Sequence, residues 1–483
     1  MSTKNNGKPK KKGGCLITIL IFVLFAALAF GIYYVSFHKD VKTEGPFTYE
    51  IGRMINIKKF KIEKYATIVG ADKSIGKNIE IPSEYDGALV VGIGKDVFNG
   101  WDIDSVKLPD MSNEYWGFTL DEGCFAGTNI ETFTMCDNCK AETNCFKDCT
   151  SLREVTLGRF CEIGRGFENC PNITRVNVDS VETWCTSSFA SNPGDEMLRV
   201  IKERENGTKY SILYINGVQT SRIDKIPEGM TELGYAIFRE IECAPEMTVP
   251  EGVKDLDGVF DYCESIKTLI LPSSIKKISE GDIGYLPNLE KIVFPDELEK
   301  ISLRALSSCY SLKEVHIPAK VSFWPFQGRG FEKITVDENN KKLYAKDGCL
   351  VCSETLLCAY GEGEITVDGT AIDTLNTSSV FDIDVSKLIL TEGVKHIEKG
   401  AISQCGRLSE VSIPSTVTKI GKEMFTNCPL LMTINYNGTK EQWQKLTDGK
   451  LQLTIYVKTP YTPESVLVIC TDGEIVIDKP VAP

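Results

Sequence analysis

The clearest repeat pattern of this chain lies in residues 413–431, which read Ile413-Pro-Ser-Thr-Val-Thr-Lys-Ile-Gly-Lys-Glu-Met-Phe-Thr-Asn-Cys-Pro-Leu-Leu431. A hydrophobic residue precedes proline, two further hydrophobic residues lie three apart, and a bulky residue is followed three positions later by cysteine. The pattern returns at a fixed interval, because Leu271, Phe294 and Ile317 are 23 residues apart. A period of about 20–29 residues is typical of a leucine-rich repeat solenoid, whose units stack on their neighbours.

Each repeat ends in a short segment in which hydrophobic residues alternate with others, as at Val411 and Ile413. Alternate side chains of a strand face the same side, so these two would point inward and Ser412 outward. Proline ends the strand pairing because it has no N–H to donate. The predicted fold class is therefore a leucine-rich repeat solenoid, β-rich, with parallel strands stacked in an arc and with short helices and turns.

The quoted repeat resembles those of the BspA-like leucine-rich repeat family, which is found in surface proteins of bacteria and some parasitic protists. Residues 65–87 look like the opening unit of that family, and Tyr436-Asn-Gly-Thr-Lys-Glu-Gln-Trp443 looks like its closing unit. Cys470-Thr-Asp-Gly-Glu-Ile475 is similar to a common terminal strand. The resemblance implies a cell-surface binding or adhesion role, and it provides no catalytic residues to transfer.

A predicted transmembrane helix precedes the repeats. The run from Leu16 to Phe37 has 22 residues and no charge, so as a helix it would span about 33 Å and cross a bilayer. Five lysines and no acid lie in the first twelve residues, which predicts a cytoplasmic N-terminus and extracellular repeats. We expect a single-pass anchor in the cell membrane. A cleaved signal peptide is the alternative, because Ala27-Leu28-Ala29 resembles a cleavage site.

These features divide the chain into five predicted regions. They are a basic cytoplasmic tail (1–14), a transmembrane helix (15–37), a juxtamembrane N-terminal cap (38–64), a repeat array (65–437) and a C-terminal cap with terminal strands (438–483). Two stretches depart from the repeat. Residues 194–224 contain a charged segment and a predicted strand at Tyr210–Ile215, and residues 337–364 contain a predicted hairpin with Cys349, Cys352 and Cys358. Insertions of this kind bind partners or only decorate the array.

Composition and motifs argue against several functional classes. The net charge is −13, and a nucleic-acid-binding protein needs a basic footprint. The three histidines are not spaced as a metal pair, and neither a nucleophile elbow nor a phosphate-binding loop is found. We therefore predict a protein that is not an enzyme and that needs no cofactor or metal. An exported hydrolase with an unrecognised site is the second alternative.

The chain has 18 cysteines, and many follow the repeat. The cysteines that lie three positions after the bulky residue, together with Cys124 and Cys145, are expected to be small, buried, mostly reduced core residues. Cys136-x-x-Cys139 followed by Cys145 and Cys149 suits a zinc site or a local disulfide by spacing alone. The core assignment of two of these four favours buried thiols.

The residue between the two inward-facing side chains of each strand would form an outward column. From this column we predict a candidate partner-binding face, which consists of Ile270, Val293, His316, Thr335, Ile389 and Ser412. Ile270 and Val293 are apolar on adjacent repeats, which is typical of a partner site. We expect a protein partner from a host, a matrix or a neighbouring cell. The alternative function is that of a cell-envelope structural protein or a glycan-recognition protein.

Overall fold

The computed structural model describes residues 39–479, except 57–58, 115, 190–211, 239–240, 261, 284, 303–304, 307, 325–330, 449–450, 452 and 455–459. The predicted transmembrane helix and the charged segment Arg199–Lys209 lie outside the described residues. Within the described ranges, no helix is both long and apolar enough to span a membrane. The chain forms two compact units. Unit 1 contains the described residues up to Asp179 and residues 212–217, and unit 2 contains residues 180–189 and 218–479.

The described part of unit 1 contains a long antiparallel hairpin, which is followed by a 3-10 turn at Lys73–Ile75 and then by mostly short strands. The strands before Asp179 are β1 (Asp40–Glu44), β2 (Phe47–Asn56), β3 (Lys61–Ala71), β4 (Asn78–Glu80), β5 (Glu84–Tyr85), β6 (Ala88–Ile93), β7 (Ser105–Lys107), β8 (Phe118–Leu120), β9 (Thr132–Thr134), β10 (Cys139–Ala141), β11 (Glu154–Thr156), β12 (Glu162–Ile163) and β13 (Arg175–Val178). Strands β1, β2 and β3 pair antiparallel. Strands β3, β6, β8, β10 and β12 then pair in parallel and are called the first sheet of unit 1.

The core of unit 1 repeats one layer of side chains. Phenylalanines from four successive repeats stack with nearly parallel rings, at centroid distances of 5.3, 5.4 and 4.9 Å between Phe98, Phe125, Phe146 and Phe167. Cys145 is fully buried beside this stack. Gly166 takes the corresponding place in the next repeat, where a Cβ atom would lie 2.9 Å from the Cys145 Sγ. The stack explains why the bulky position of the repeat is so often phenylalanine.

The next elements include a short helix and the strand that was predicted within the first insertion. They are α1 (Val181–Thr186), β14 (Ser188–Phe189), β15 (Ile212–Ile215), β16 (Val218–Thr220), β17 (Arg222–Ile223) and β18 (Glu242–Cys243). Strand β15 belongs to unit 1 and pairs in parallel with β13. The predicted strand at Tyr210–Ile215 is thus observed over Ile212–Ile215.

The first part of unit 2 continues the 23-residue repeat as a parallel sheet. Its strands are β19 (Glu246–Thr248), β20 (Thr268–Ile270), β21 (Lys277–Ile278), β22 (Lys291–Val293), β23 (Lys300–Ile301), β24 (Glu314–Ile317) and β25 (Lys333–Val336). Strands β19, β20, β22, β24 and β25 pair in this order and are called the first sheet of unit 2. The predicted hairpin follows as β26 (Leu343–Lys346), β27 (Cys349–Cys352) and β28 (Thr355–Ala359). Strand β28 is antiparallel to β27 but parallel to the next repeat, so this insertion is built into the stack.

The last part of unit 2 contributes three short strands from each repeat. The elements are β29 (Gly363–Val367), β30 (Thr374–Leu375), β31 (Val380–Phe381), β32 (Val385–Leu390), β33 (His396–Ile397), β34 (Ile402–Ser403), β35 (Glu410–Ile413), β36 (Lys419–Ile420), β37 (Phe425–Thr426), β38 (Thr433–Tyr436), α2 (Lys440–Leu446), β39 (Leu453–Thr454), β40 (Ser465–Cys470) and β41 (Gly473–Asp478). Strands β29, β32, β35, β38, β40 and β41 are called the second sheet of unit 2. The β-solenoid of stacked parallel strands is therefore confirmed, with one sheet per strand of the repeat.

The segment that resembles a closing unit packs against the final repeat. Helix α2 begins with a capping box, in which the Thr439 hydroxyl accepts from the Gln442 amide and the Gln442 side chain accepts from the Thr439 amide. Trp443 on this helix is buried, and its ring lies 5.1 Å from that of Tyr436. The helix thereby covers apolar surface that the last repeat would otherwise expose.

Candidate partner-binding surface

Four of the six candidate residues lie on the first sheet of unit 2. Ile270 pairs in register with Val293, and His316 pairs with Thr335. The pairing of Lys291 with Glu314 connects the two halves, because Val293 and His316 each lie two residues further along their strands. The structure therefore brings these four side chains onto consecutive strands.

The alternation of burial along these strands follows the prediction. Leu269 and Ile292 are buried with 0% and 4% of their surface exposed, whereas Ile270 is half-buried and Val293 is 37% exposed. Because strand side chains alternate, the two outward residues present branched apolar groups side by side. Thr248 pairs with Ile270 on the other side and bounds the pair with a polar residue.

The other two candidates, Ile389 and Ser412, lie on the second sheet of unit 2. Ile389 pairs with Thr366 and with Ser412, and both candidates are half-buried. The sequence had placed all six in one column. The structure divides that column between Thr335 and Thr366, because strands β25 and β29 belong to different sheets. The reason is the hairpin of β26 to β28, which intervenes between the two sheets along the chain.

A hydrogen bond orients the imidazole in this column. The His316 Nδ1 lies 2.9 Å from the Thr335 Oγ1, across the pairing of β24 with β25. A ring held on one side by a neighbouring strand loses less side-chain entropy when a partner contacts its other edge. His316 remains exposed, so its edge is accessible.

Ion pairs connect successive repeats before and after the strands of this sheet. Lys267 pairs with Glu290 at 2.8 Å. Glu297 accepts from Lys320 at 2.5 Å and from Lys276 at 3.1 Å, and these two lysines lower the pKa of the Glu297 carboxyl. Exposed pairs of this kind contribute little to stability. They place charged groups on the same repeats as the apolar pair, and complementary charges favour specific and correctly oriented association.

The cysteines of Cys136-x-x-Cys139 are free thiols in the structure, as is every other cysteine within the described ranges. Cys139 is buried, and burial raises the pKa of its thiol well above the ordinary value. In the described part of the chain, no group of three or more histidine, cysteine, aspartate or glutamate side chains is arranged to hold a metal ion. The repeat cysteines are buried as predicted, at Cys149, Cys170, Cys263, Cys309, Cys405 and Cys428.

One pocket was missed by the sequence interpretation. Phe160 and Trp116 line an open pocket above the first sheet of unit 1, away from the strands whose outward residues were considered. A signal existed, since Asn138-Cys139 and Phe160-Cys161 are 22 residues apart and an aromatic residue replaces the asparagine.

Comparison with known proteins identifies the repeat. The protein-family model of the BspA type leucine-rich repeat region matches residues 73–194, 219–339 and 364–447, in six copies. These segments include the candidate face and exclude the hairpin of β26 to β28. No curated protein matches the sequence.

Three solved structures are similar to this chain at low identity. A leucine-rich cell surface protein from Faecalibacterium prausnitzii is 15% identical with a TM-score of 0.33, over 84% of this chain and 97% of that one. A leucine-rich repeat protein from Bacteroides ovatus is 18% identical with a TM-score of 0.34, over 82% and 88%. The pneumococcal vaccine antigen PcpA is 11% identical with a TM-score of 0.28, over 86% and 97%.

Proposed function

The chain belongs to the BspA-type leucine-rich repeat family, and from this premise we propose that it is a membrane-anchored extracellular protein that binds a protein partner without catalysing a reaction. Leucine-rich repeat domains generally mediate protein–protein interaction. The lysine-rich stretch before Leu16 supports an N-terminus in the cytoplasm and repeats outside the cell. The partner is a protein of a host, a matrix or a neighbouring cell, and the role is adhesion.

The observation that carries this proposal is the pairing of Ile270 with Val293 on the outward face of a regular sheet. Neither residue is needed there to form the sheet, because the inward residues Leu269 and Ile292 provide the buried contacts. Burying apolar surface on association contributes about 25 cal/mol per Å² before the costs of binding. An apolar centre bounded by polar residues is the usual anatomy of a protein interface, and Thr248 bounds the pair on one side.

A binding screen with the full chain in lipid nanodiscs tests the proposal. The probes are purified matrix proteins and surface proteins of host cells, and the test variant is Ile270→Thr with Val293→Thr. Threonine is native at Thr248 and Thr335 in the same column, so the variant keeps β-propensity while it removes the apolar pair. The matched control is Val476→Thr, at an exposed apolar residue of β41 in the second sheet of unit 2, outside the candidate face.

We expect the double variant to lose at least about tenfold in affinity, which corresponds to about 1.4 kcal/mol. The control should bind like the wild type. A partner whose affinity is unchanged by the double variant, or equally reduced by the control, would show that binding occurs elsewhere. Failure of every protein probe, combined with retention on purified cell-wall material, would favour the envelope alternative.

The proposed orientation of the chain in the membrane is tested separately. Protease added to intact cells should remove the repeats and leave a small membrane-bound N-terminal fragment. N-terminal sequencing of the mature protein distinguishes an anchor from a cleaved signal peptide, since cleavage after Ala29 would remove the lysines. Repeats that resist protease until the cells are opened would contradict an extracellular location.

A further inference from the structure

We propose that unit 1 carries a second binding site, separate from the candidate partner-binding face, which takes a neutral sugar unit of a glycan. The site is a pocket of about 460 Å³ above the first sheet of unit 1. That volume falls within the range of about 300–1,000 Å³ that is typical of ligand sites. Its lining includes Met54, Val91, Trp116, Thr119, Lys140 and Phe160.

The floor of the pocket is the outward column of the first sheet of unit 1. Thr119 pairs in register with Lys140, and Lys140 pairs with Glu162. The flanking residues Phe118 and Leu120 are fully buried, so alternation directs the Thr119 side chain to the outside. Hydroxyl, ammonium and carboxylate groups therefore stand in a row on a rigid sheet.

Phe160 forms one wall in an unusual backbone conformation. It has a φ of 54°, and Asn138, at the same place one repeat earlier, has a φ of 56°. Asparagine tolerates this left-handed region, whereas a bulky aromatic residue seldom occupies it. The ring is also 45% exposed and so gains less from burial than a core phenylalanine. Strained residues of this kind concentrate at functional sites.

Trp116 forms a second wall of the pocket and is positioned by the hairpin of β2 and β3. Its Nε1 donates to the Glu63 Oε2 at 3.4 Å, and the same oxygen accepts from the Asn56 Nδ2 at 2.9 Å. Asn56 is fully buried, so this network has a fixed base. An aromatic wall held in place in this way needs little ordering when a ligand binds.

The charges and polar groups indicate which ligand fits. Lys140 pairs with Glu142 at 2.9 Å and with Glu162 at 3.7 Å, so its charge is balanced within the chain. An anionic ligand would have to displace those carboxylates. A purely apolar ligand would cover Thr119 and Lys140 without offering hydrogen bonds, which is costly. A pyranose meets both demands, because its C–H faces pack on aromatic rings and its hydroxyl groups reach polar side chains.

The test uses the purified full chain in a detergent without a sugar headgroup, since maltosides would compete. The probes are an array of neutral, acidic and amino-sugar oligosaccharides together with nucleotides as planar aromatic ligands, followed by calorimetry on the best neutral oligosaccharide. The test variant is Phe160→Asn, which introduces the residue of the preceding repeat and preserves the backbone. A second variant, Trp116→Ala, removes the other wall. The matched control is Tyr262→Asn, because Tyr262 is also exposed at a φ of 55°, in unit 2.

We expect a neutral oligosaccharide to bind the wild type and the control equally. Phe160→Asn should weaken that binding at least tenfold while thermal stability is unchanged or raised, and Trp116→Ala should weaken it too. Absence of any neutral ligand at millimolar concentration overturns the proposal. Binding that both wall variants retain, or binding confined to acidic sugars or nucleotides, also overturns it. None of these results depends on the candidate partner-binding face.

Discussion

The Cys149 Sγ lies 3.0 Å from the carbonyl oxygen of Phe125, 24 residues earlier, so a thiol donates a hydrogen bond from one repeat to the previous one. Cys170 and Phe146 repeat the arrangement at 2.9 Å and the same separation. Both cysteines are buried, and each of these carbonyls also accepts from a backbone amide, that of Thr128 for Phe125 and that of Cys149 for Phe146. The recurrent cysteine thus fills a small space and also gives a backbone oxygen a second hydrogen bond.

Replacing Cys149 by serine and by alanine separates these two roles. The two replacements differ by one hydroxyl, which can donate to the Phe125 carbonyl. We expect Cys149→Ser to be more stable than Cys149→Ala by about 1 kcal/mol, the usual net value of a hydrogen bond. Denaturant unfolding monitored by circular dichroism measures the difference. A serine variant that is less stable than the alanine variant would show that the site only needs an apolar group.

Burial also predicts which thiols react. Cys136 and Cys352 are half-buried, whereas the other cysteines within the described ranges are buried. Burial raises the pKa of Cys124 and Cys145 well above the ordinary value, and the thiolate is the reactive form. Brief maleimide treatment of the native protein at pH 7, followed by peptide mapping, should label Cys136 and Cys352 before Cys124 and Cys145. Equal labelling of all four without denaturant would contradict this packing.

The residue before the repeat cysteine adopts a left-handed backbone conformation. Asn427 has a φ of 51°, and its Nδ2 donates to the Gln404 Oε1 of the previous repeat at 2.7 Å. We expect Asn427→Ala to be less stable than Asn427→Gly by roughly 1 kcal/mol, because only glycine adopts this conformation without strain. Thermal unfolding of both variants gives the comparison. The reverse order would mean that the backbone relaxes out of this conformation.

The partly buried ammonium of Lys479 predicts how the stability of the fold changes at alkaline pH. Burial lowers the pKa of its ammonium to about 8, while its Nζ donates to the Pro429 carbonyl at 3.0 Å. An unfolded lysine has a pKa of about 10.4, so between about pH 8 and 10.4 the unfolded state binds the extra proton. Stability contributed by this group therefore rises with pH across that window and is lowest below pH 8.

The Lys479→Met variant isolates this effect. We expect it to melt at a higher temperature than the wild type at pH 7, with a gap that narrows from pH 8 to pH 10. Lys399→Met is the control, because Lys399 has an exposed side chain. A gap that is constant over this range, or that widens, would contradict the burial of a charged group at Lys479.

Much of the fold could be predicted because the repeat is regular. Val411 and Ile413 alternate with exposed or half-buried residues and are fully buried, as the period of two requires. The strands of two residues, such as Lys419–Ile420 and Phe425–Thr426, could not be recognised. A two-residue strand is too short to show alternation, so the pairing of β33 with β36 and that of β34 with β37 are apparent only from the structure.

The candidate sites were harder to predict for a physical reason. Ile270 and Val293 could be placed in register because identical spacing fixes their strands. Phe160 has the same residue type as the fully buried Phe146, and only its place directly before Cys161, 22 residues after Asn138-Cys139, distinguishes it in the sequence. The division of the column after Thr335 depends on how β28 joins the next repeat, and the antiparallel-to-parallel change has no sequence signal.

The hairpin of β26 to β28 also bears on how such a chain can be inherited. One continuous apolar core runs from Cys349 to Cys470, with an antiparallel pair at its first layer and another, β40 with β41, at its last. Both ends of this core are thus formed by antiparallel strands of the same segment. Recombination upstream of Leu343 would therefore keep the buried side chains of this core, and the antiparallel pairs at both of its ends, on one continuous stretch of the chain.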